Sequence, residues 1–172
     1  MRKALLIFFV CLNTFFCRSQ EQEKFNITGG IGIPELINLG GRFQFNQTEL
    51  GFSVGTFPEK DEDIISLQAN LLYHFAGASS LSPRRPWYLR GGLTYSRSET
   101  EFELGKYFFL DLRIGRDFNF SEKFGIQIDL GGLYIISENI KEKKPQENYW
   151  FWDIDLEYNI IPIIGITFFY RI

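Results

Sequence analysis

Along most of this chain apolar and polar residues alternate with a period of two, the spacing of strands rather than helices. In "WYLRGGLTYS", Trp87, Leu89, Gly91, Leu93 and Tyr95 share one face, and Tyr88, Arg90, Gly92, Thr94 and Ser96 share the other. Seven further segments repeat the pattern. Ile27, Ile31 and Ile33 oppose Asn26 and Thr28; Leu39, Phe43 and Phe45 oppose Asn38, Arg42 and Gln44; Leu50, Phe52 and Val54 oppose Glu49 and Ser53. Ile65, Leu67, Leu71 and Tyr73 oppose Ser66, Gln68, Asn70 and His74; Phe108, Leu110, Leu112, Ile114 and Phe118 oppose Asp111, Arg113 and Asp117. Ile126, Ile128 and Leu130 oppose Gln127 and Asp129, and the last segment keeps its apolar residues on even numbers from Trp150 to Ile172. Helical spacing is absent. The pattern predicts eight strands.

Tight turns are predicted around Gln47 and Ser121, and connectors at "PEKDED", "GASSLSPRRP", "SRSETEFELG" and "SENIKEKKPQEN". The final hairpin has two arrangements. A register placing Glu122 opposite Ile172 brings Lys144 near Trp150, with Pro162 as a bulge or edge irregularity. Otherwise a long loop precedes a short final strand that starts at Pro162.

Alternation leaves open which face is inside. A soluble barrel of the lipocalin kind would bury the apolar face and hold a small apolar ligand. Four features favour the inverse. With nineteen phenylalanines and eight tyrosines, the apolar faces carry more bulk than an eight-stranded interior can hold. The polar faces place Arg42 with Glu49, Arg90 with Asp111 and Arg113 with Asp129, pairs that a narrow lumen would require. Glycine doublets at 29–30, 40–41, 91–92 and 131–132 suit curvature and lumen space; Gly92 is expected to make room beside Arg90. Aromatic residues gather at strand ends, at Trp87, Tyr95, Phe118, Phe120 and Phe124, as in interfacial girdles. The expected fold is therefore all-β: an eight-stranded antiparallel up-and-down transmembrane β-barrel.

The ends and the charge refine this picture. Arg2 and Lys3 precede an apolar run from Ala4 to Phe16, and Ser19 offers a small residue for cleavage. The run is too short to span a bilayer and reads as a secretory signal over residues 1–19, with the barrel over 20–172. A lipoprotein signal at Cys17 is disfavoured by bulky Phe15 and Phe16. Cys11 and Cys17 both leave with the signal, so the mature chain is expected to have no disulfide and no thiol ligand. The formal charge of −3 becomes −6 once Arg2, Lys3 and Arg18 are removed. An acidic chain without a basic stripe is a poor fit to nucleic acid.

With its signal, eight alternating strands and final "GITFFYRI", the chain resembles the small outer-membrane β-barrels of the OmpA/OmpX type over nearly its whole mature length. The resemblance implies an outer-membrane location, contact with outer-membrane lipid and lipopolysaccharide, and recognition of the last strand by the barrel assembly machinery through a terminal aromatic. Phe168 and Tyr170 fit that requirement, while the last residue, Ile172, departs from it. No peptidoglycan-binding domain is expected after the barrel. Loop lengths put the turns at Gln47 and Ser121 in the periplasm and the charged connectors outside. "GASSLSPRRP" is then long for a periplasmic turn.

Candidate chemistry is sparse. His74 is the only histidine, which removes histidine clusters as metal sites. Ser66 shares its face but lies eight residues away, more than about 20 Å along a strand, so a hydrogen-bonding role is expected of His74 rather than catalysis. Asp153, Asp155 and Glu157 are too widely spaced to share one cation and are expected to pair with Lys141, Lys143 and Lys144. No dinucleotide or phosphate loop is present, so neither an enzyme nor a cofactor is expected; an outer-membrane lipid-modifying enzyme is the weakest reading. The expected functional residues are a structural lumen network (Arg42, Glu49, Arg90, Asp111, Arg113, Asp129) that closes the barrel, and a partner-contact hairpin (Lys141, Lys143, Lys144, Trp150, Trp152) serving a structural, adhesive or envelope-maintenance role.

Overall fold

A computed structural model describes residues 24–60, 62–144 and 160–172. The expected signal, Trp150, Trp152, Asp153, Asp155 and Glu157 lie outside the described residues. The described chain is a closed barrel of eight antiparallel strands in sequence order: β1 (Lys24–Gly32), β2 (Leu36–Phe45), β3 (Thr48–Glu59), β4 (Glu62–Ala76), β5 (Trp87–Thr100), β6 (Glu103–Asn119), β7 (Phe124–Glu142) and β8 (Ile160–Arg171). β8 closes onto β1, from Asn26 opposite Arg171 to Gly32 opposite Gly165. Closure gives every strand a neighbour on both sides, which is what a spanning sheet requires.

The barrel is inside-out. Apolar residues of the alternating pattern face outward: Leu39 is 73% exposed, Leu112 66% and Leu130 61%. Buried positions are occupied mainly by polar and charged side chains, with Leu72, Tyr88, Leu133, Ile163 and Phe169 as the apolar exceptions. The alternative of a soluble barrel with an apolar ligand cavity is corrected by this arrangement. Its wall would have to be turned over, a shift of one residue in every strand.

Register agrees with the expected final hairpin as far as that is described. Phe124 lies opposite Tyr170, and Tyr134 opposite Ile160, the same register that puts Glu122 opposite Ile172. Pro162 makes no bulge; it sits in the ladder opposite Gly132. β1 ends opposite Gly165, so Pro162 has a strand neighbour only on the β7 side, the edge position where a missing N–H is tolerated.

Three charged connectors prove to be strand over most of their described residues. Glu59 lies opposite Glu62, so "PEKDED" is the end of a hairpin; β5 and β6 run on to Thr100 and Glu103; and β7 continues through "SENIKE" paired with β6. Polarity misleads here because strands above the bilayer are wetted on both sides. Their ladder continues while the apolar face, which the lipid alone requires, stops. β1 and β2 have 9 and 10 residues and β6 and β7 have 17 and 19, so the wall is low on one side and tall on the other. Of the expected girdle, Trp87, Phe118, Phe120 and Phe124 sit exposed with Tyr170 at the end that holds the Ser121 turn, whereas Tyr95 lies opposite Phe108, near the other end.

Candidate functional site

The lumen is filled by two charge clusters, each sealed by a residue that enters from a connector. At the end opposite the Gln47 and Ser121 turns, the low wall brings the β1–β2 turn to the mouth of the barrel. The chain reverses through Leu36 at φ 64°, a left-handed conformation unfavourable for a leucine, and Glu35 points into the lumen, where it is 3% exposed. Its carboxylate accepts two hydrogen bonds from Arg113 Nη2, both 2.8 Å, and a further one from Arg90. Its backbone carbonyl accepts from Ser66 Oγ at 3.0 Å. Gly55 makes this approach possible, since a Cβ there would fall on the Glu35 carbonyl oxygen. Glu35 is thereby a plug on a short tether.

Beneath it, Arg113 is used on every side. Nε donates to Asp111 at 2.8 Å, Nη1 to Asp129 at 3.1 Å, and Nη2 to the Ile33 carbonyl at 3.0 Å as well as to Glu35. Arg90 donates to Asp129 at 3.2 Å, and Tyr88 Oη donates to the same carboxylate at 3.1 Å. Gln68 Nε2 donates to Asp111 at 3.2 Å and to Thr94 Oγ1 at 3.0 Å. The guanidinium fork satisfies several acceptors with one charge, as a buried site of this kind demands.

The second cluster is sealed from the other end of the barrel, that of the Gln47 and Ser121 turns. The long "GASSLSPRRP" connector folds against the barrel mouth: Arg85 N donates to Gln47 Oε1 at 2.9 Å, Gln47 Nε2 donates to the Pro83 carbonyl at 3.2 Å, and His74 Nδ1 to the Arg85 carbonyl at 2.7 Å. Held in this way, Arg84 enters the lumen and is 2% exposed. It pairs with Glu49 and with Asp117, the latter at 2.6 Å, and lies 5.1 Å from the Phe169 ring centroid. Arg42 stands 3.6 Å from Glu49 and donates to Gln127, whose Nε2 donates to Asp117 at 2.9 Å. Asn26 Nδ2 donates to Glu49 at 2.9 Å. Arg171 also lies over Phe169, 4.6 Å from the ring centroid, and donates to Asn119 at 2.7 Å.

Among the described residues the buried charges balance. Arg42, Arg84, Arg90, Arg113 and Arg171 face Glu35, Glu49, Asp111, Asp117 and Asp129. Without such matching, each unpaired charge in this water-poor interior would cost several kcal/mol.

All six lumen residues expected from the sequence are buried here, but their partners differ in part. Arg42 is with Glu49 and Arg113 with Asp129. Arg90 does not pair with Asp111; it takes Asp129 and Glu35, and Asp111 takes Arg113. The reason is curvature. Across a closed lumen, residues on non-adjacent strands approach one another, which flat neighbour-to-neighbour reasoning does not capture. Gly92 likewise makes room for Asp111 rather than Arg90, since a Cβ there would fall on the Asp111 carboxylate. Gly91 would meet only Leu112, at 3.6 Å, and nothing in the structure explains its lack of a side chain.

Glu35 and Arg84 escaped the sequence reading, whereas Asp117 and Gln127 were placed on the polar faces but not counted in the network. The first two lie in connectors, where alternation carries no information; the unusual length of the periplasmic connector was the available signal for Arg84. Of the hairpin residues, Lys143 reaches Glu99 at 2.6 Å and Lys144 reaches Glu101, on the β5–β6 turn. Lys141, in β7, is exposed opposite Leu104. His74 and Ser66 are not brought together: the Ser66 hydroxyl is engaged with the Glu35 carbonyl at one end of β4, and His74 stands at the other, with Nε2 3.9 Å from Glu49.

Apolar outside, charge-paired inside and closed strand to strand, the molecule has the fold of the small eight-stranded outer-membrane β-barrels. Among solved structures it is similar to the N-terminal β-barrel domain of Pseudomonas aeruginosa OprF, at 15% identity and TM-score 0.56, over 89% of this chain and 100% of that one. It is also similar to Acinetobacter baumannii CarO, at 10% identity and TM-score 0.52 over 84% and 96% of the two chains. Neisserial surface protein A is similar at 13% identity and TM-score 0.50, over 87% and 94%. No protein-family model and no curated protein matches the chain.

Proposed function

We propose that this chain is an integral outer-membrane barrel with a closed lumen and no catalytic activity, whose role is structural, adhesive or in envelope maintenance. One observation carries the reading: a plug enters from each end, Glu35 from outside, bound to Arg90 on β5 and Arg113 on β6, and Arg84 from the periplasm, bound to Glu49 on β3 and Asp117 on β6. A lumen held shut in this way leaves the outer surface as the working face. The tall β5–β7 wall, braced by Lys143 against Glu99 and Lys144 against Glu101, presents that face to a partner in the medium or the envelope. Outer-membrane lipid and lipopolysaccharide surround the apolar band, and the barrel assembly machinery is the proposed partner in insertion.

The test has two parts. The mature protein should sediment with the outer membrane, migrate differently on a denaturing gel when unboiled, and leave vesicles impermeable to small sugars. Recovery in the soluble periplasm, or swelling of the vesicles in sugar, overturns the reading. For the contact role, deleting residues 141–149 should preserve the heat-dependent mobility and abolish attachment of cells that display the protein; unchanged attachment removes the hairpin from it.

A further inference from the structure

Charge on the exterior of this barrel is confined to its two ends, and on β6 it marks the bilayer boundaries. Outward-facing positions run Lys106, Phe108, Leu110, Leu112, Ile114, Arg116 and Phe118. Ten residue steps lead from Lys106 to Arg116; at strand rise and barrel tilt this is about 25 Å along the membrane normal, the height of the apolar band of such barrels. Arg97 lies beside Lys106 across the ladder, so the outer boundary carries a pair of cations. Arg116 lies at the inner one. Trp87, the first residue of β5, is directly opposite it.

The surroundings of Arg116 differ from those of the lumen arginines. It is exposed, it forms no ion pair with any described residue, and its guanidinium lies over two aromatic rings. The guanidinium carbon is 5.4 Å from the Trp87 centroid and 5.3 Å from that of Phe118. Stacking of this kind holds the planar group in place and leaves its in-plane N–H donors free at the ring edges. A fixed guanidinium with free donors matches the paired oxygens of a phosphate, and its height is where the headgroups of inner-leaflet lipids lie.

We propose that Arg116, clamped by Trp87 and Phe118, is a lipid-facing site for the phosphate of an anionic phospholipid in the periplasmic leaflet. The proposal rests on the outer-membrane reading above. Cation–π contact orients the arginine, the bidentate hydrogen bond selects phosphate, and the absence of a described carboxylate partner favours a lipid that brings net negative charge over a zwitterionic one.

Trp87 provides the readout. In a Trp150→Phe, Trp152→Phe background it is the remaining tryptophan of the chain. The folded protein is inserted in phosphatidylcholine vesicles carrying an equal mole fraction of either 6,7-dibrominated phosphatidylglycerol or 6,7-dibrominated phosphatidylcholine. Phosphatidylglycerol should quench Trp87 more strongly, corresponding to local enrichment of about threefold, the scale of an exposed ion pair. Arg116→Gln should bring the two lipids to equality, and Arg116→Lys should keep part of the preference. Equal quenching in the parent protein, or a preference that survives Arg116→Gln, overturns the site while the inserted, heat-modifiable barrel still supports the membrane reading. Failure of the parent to insert overturns both.

Discussion

Replacing Arg84 with methionine removes one charge from the lumen while keeping a long side chain against Phe169. In the folded protein Arg84 serves two carboxylates, but they do not depend on it equally. Glu49 retains Arg42 at 3.6 Å and the amide of Asn26 at 2.9 Å. Asp117 retains only the amide of Gln127, at 2.9 Å, with no second ion pair among the described residues. Breaking a buried pair by removing one partner costs about 3–5 kcal/mol, and most of that loss should fall on Asp117. Arg84→Met should therefore destabilise the barrel by about 3–5 kcal/mol in equilibrium urea unfolding from detergent micelles or vesicles, read by the heat-modifiable gel band and by tryptophan fluorescence. The second change assigns the loss: Arg84→Met with Asp117→Asn should recover more stability than Arg84→Met with Glu49→Gln, because it neutralises the charge left alone. A connector arginine that merely hung in water would change stability by no more than about 0.5 kcal/mol. That result, or equal recovery by both double variants, would refute the periplasmic plug.

Three further outcomes follow from the same geometry. Gly55→Ala, whose methyl would fall on the Glu35 carbonyl, should cost about 1–3 kcal/mol in the same titration, whereas Gly91→Ala, meeting only Leu112 at 3.6 Å, should change little; equal effects would contradict the outer plug. Leu112→Arg, in the middle of the exterior band, should cost about 2–4 kcal/mol in vesicles; a neutral result would mean that this face does not meet lipid. The rim brace should be sensitive to acid. Glu99 is held below the usual glutamate range chiefly by its hydrogen bond from Lys143 and by the Arg97 charge, and Glu101 by Lys144. A depressed carboxylate contributes stability at neutral pH that is lost as pH falls below the ordinary glutamate range. Hydrogen-exchange protection of the Lys143 and Lys144 amides, both bonded to the Phe102 carbonyl, should thus drop on acidification. Glu99→Gln with Glu101→Gln should start low and show no such dependence.

How legible each part was depends on the range over which its cause acts. Alternation is a local property, and within the bilayer every outward residue meets the same solvent; Leu39, Leu112 and Leu130 could therefore be assigned to lipid without knowing their neighbours. The two-residue turn between Phe45 and Thr48 was likewise readable, since hairpin turns are set by adjacent residues. Above the bilayer the lipid constraint lapses. There β3 to β7 continued through charged segments that resembled loops.

Local patterning alone sets the period, the strand number, the identity of the lipid face and the presence of a charged interior needing balanced partners. Tertiary structure decided which charges meet. Closing the sheet brings Arg90 toward Asp129 and Glu35, residues 39 and 55 positions away, and unequal strand lengths lower one wall so that the turn carrying Glu35 can fold in. Docking of the periplasmic connector on Gln47 and His74 places Arg84. Side-chain direction follows from neighbouring residues along the strand, whereas ion pairing across a lumen follows from curvature, wall height and loop placement, which no single segment encodes.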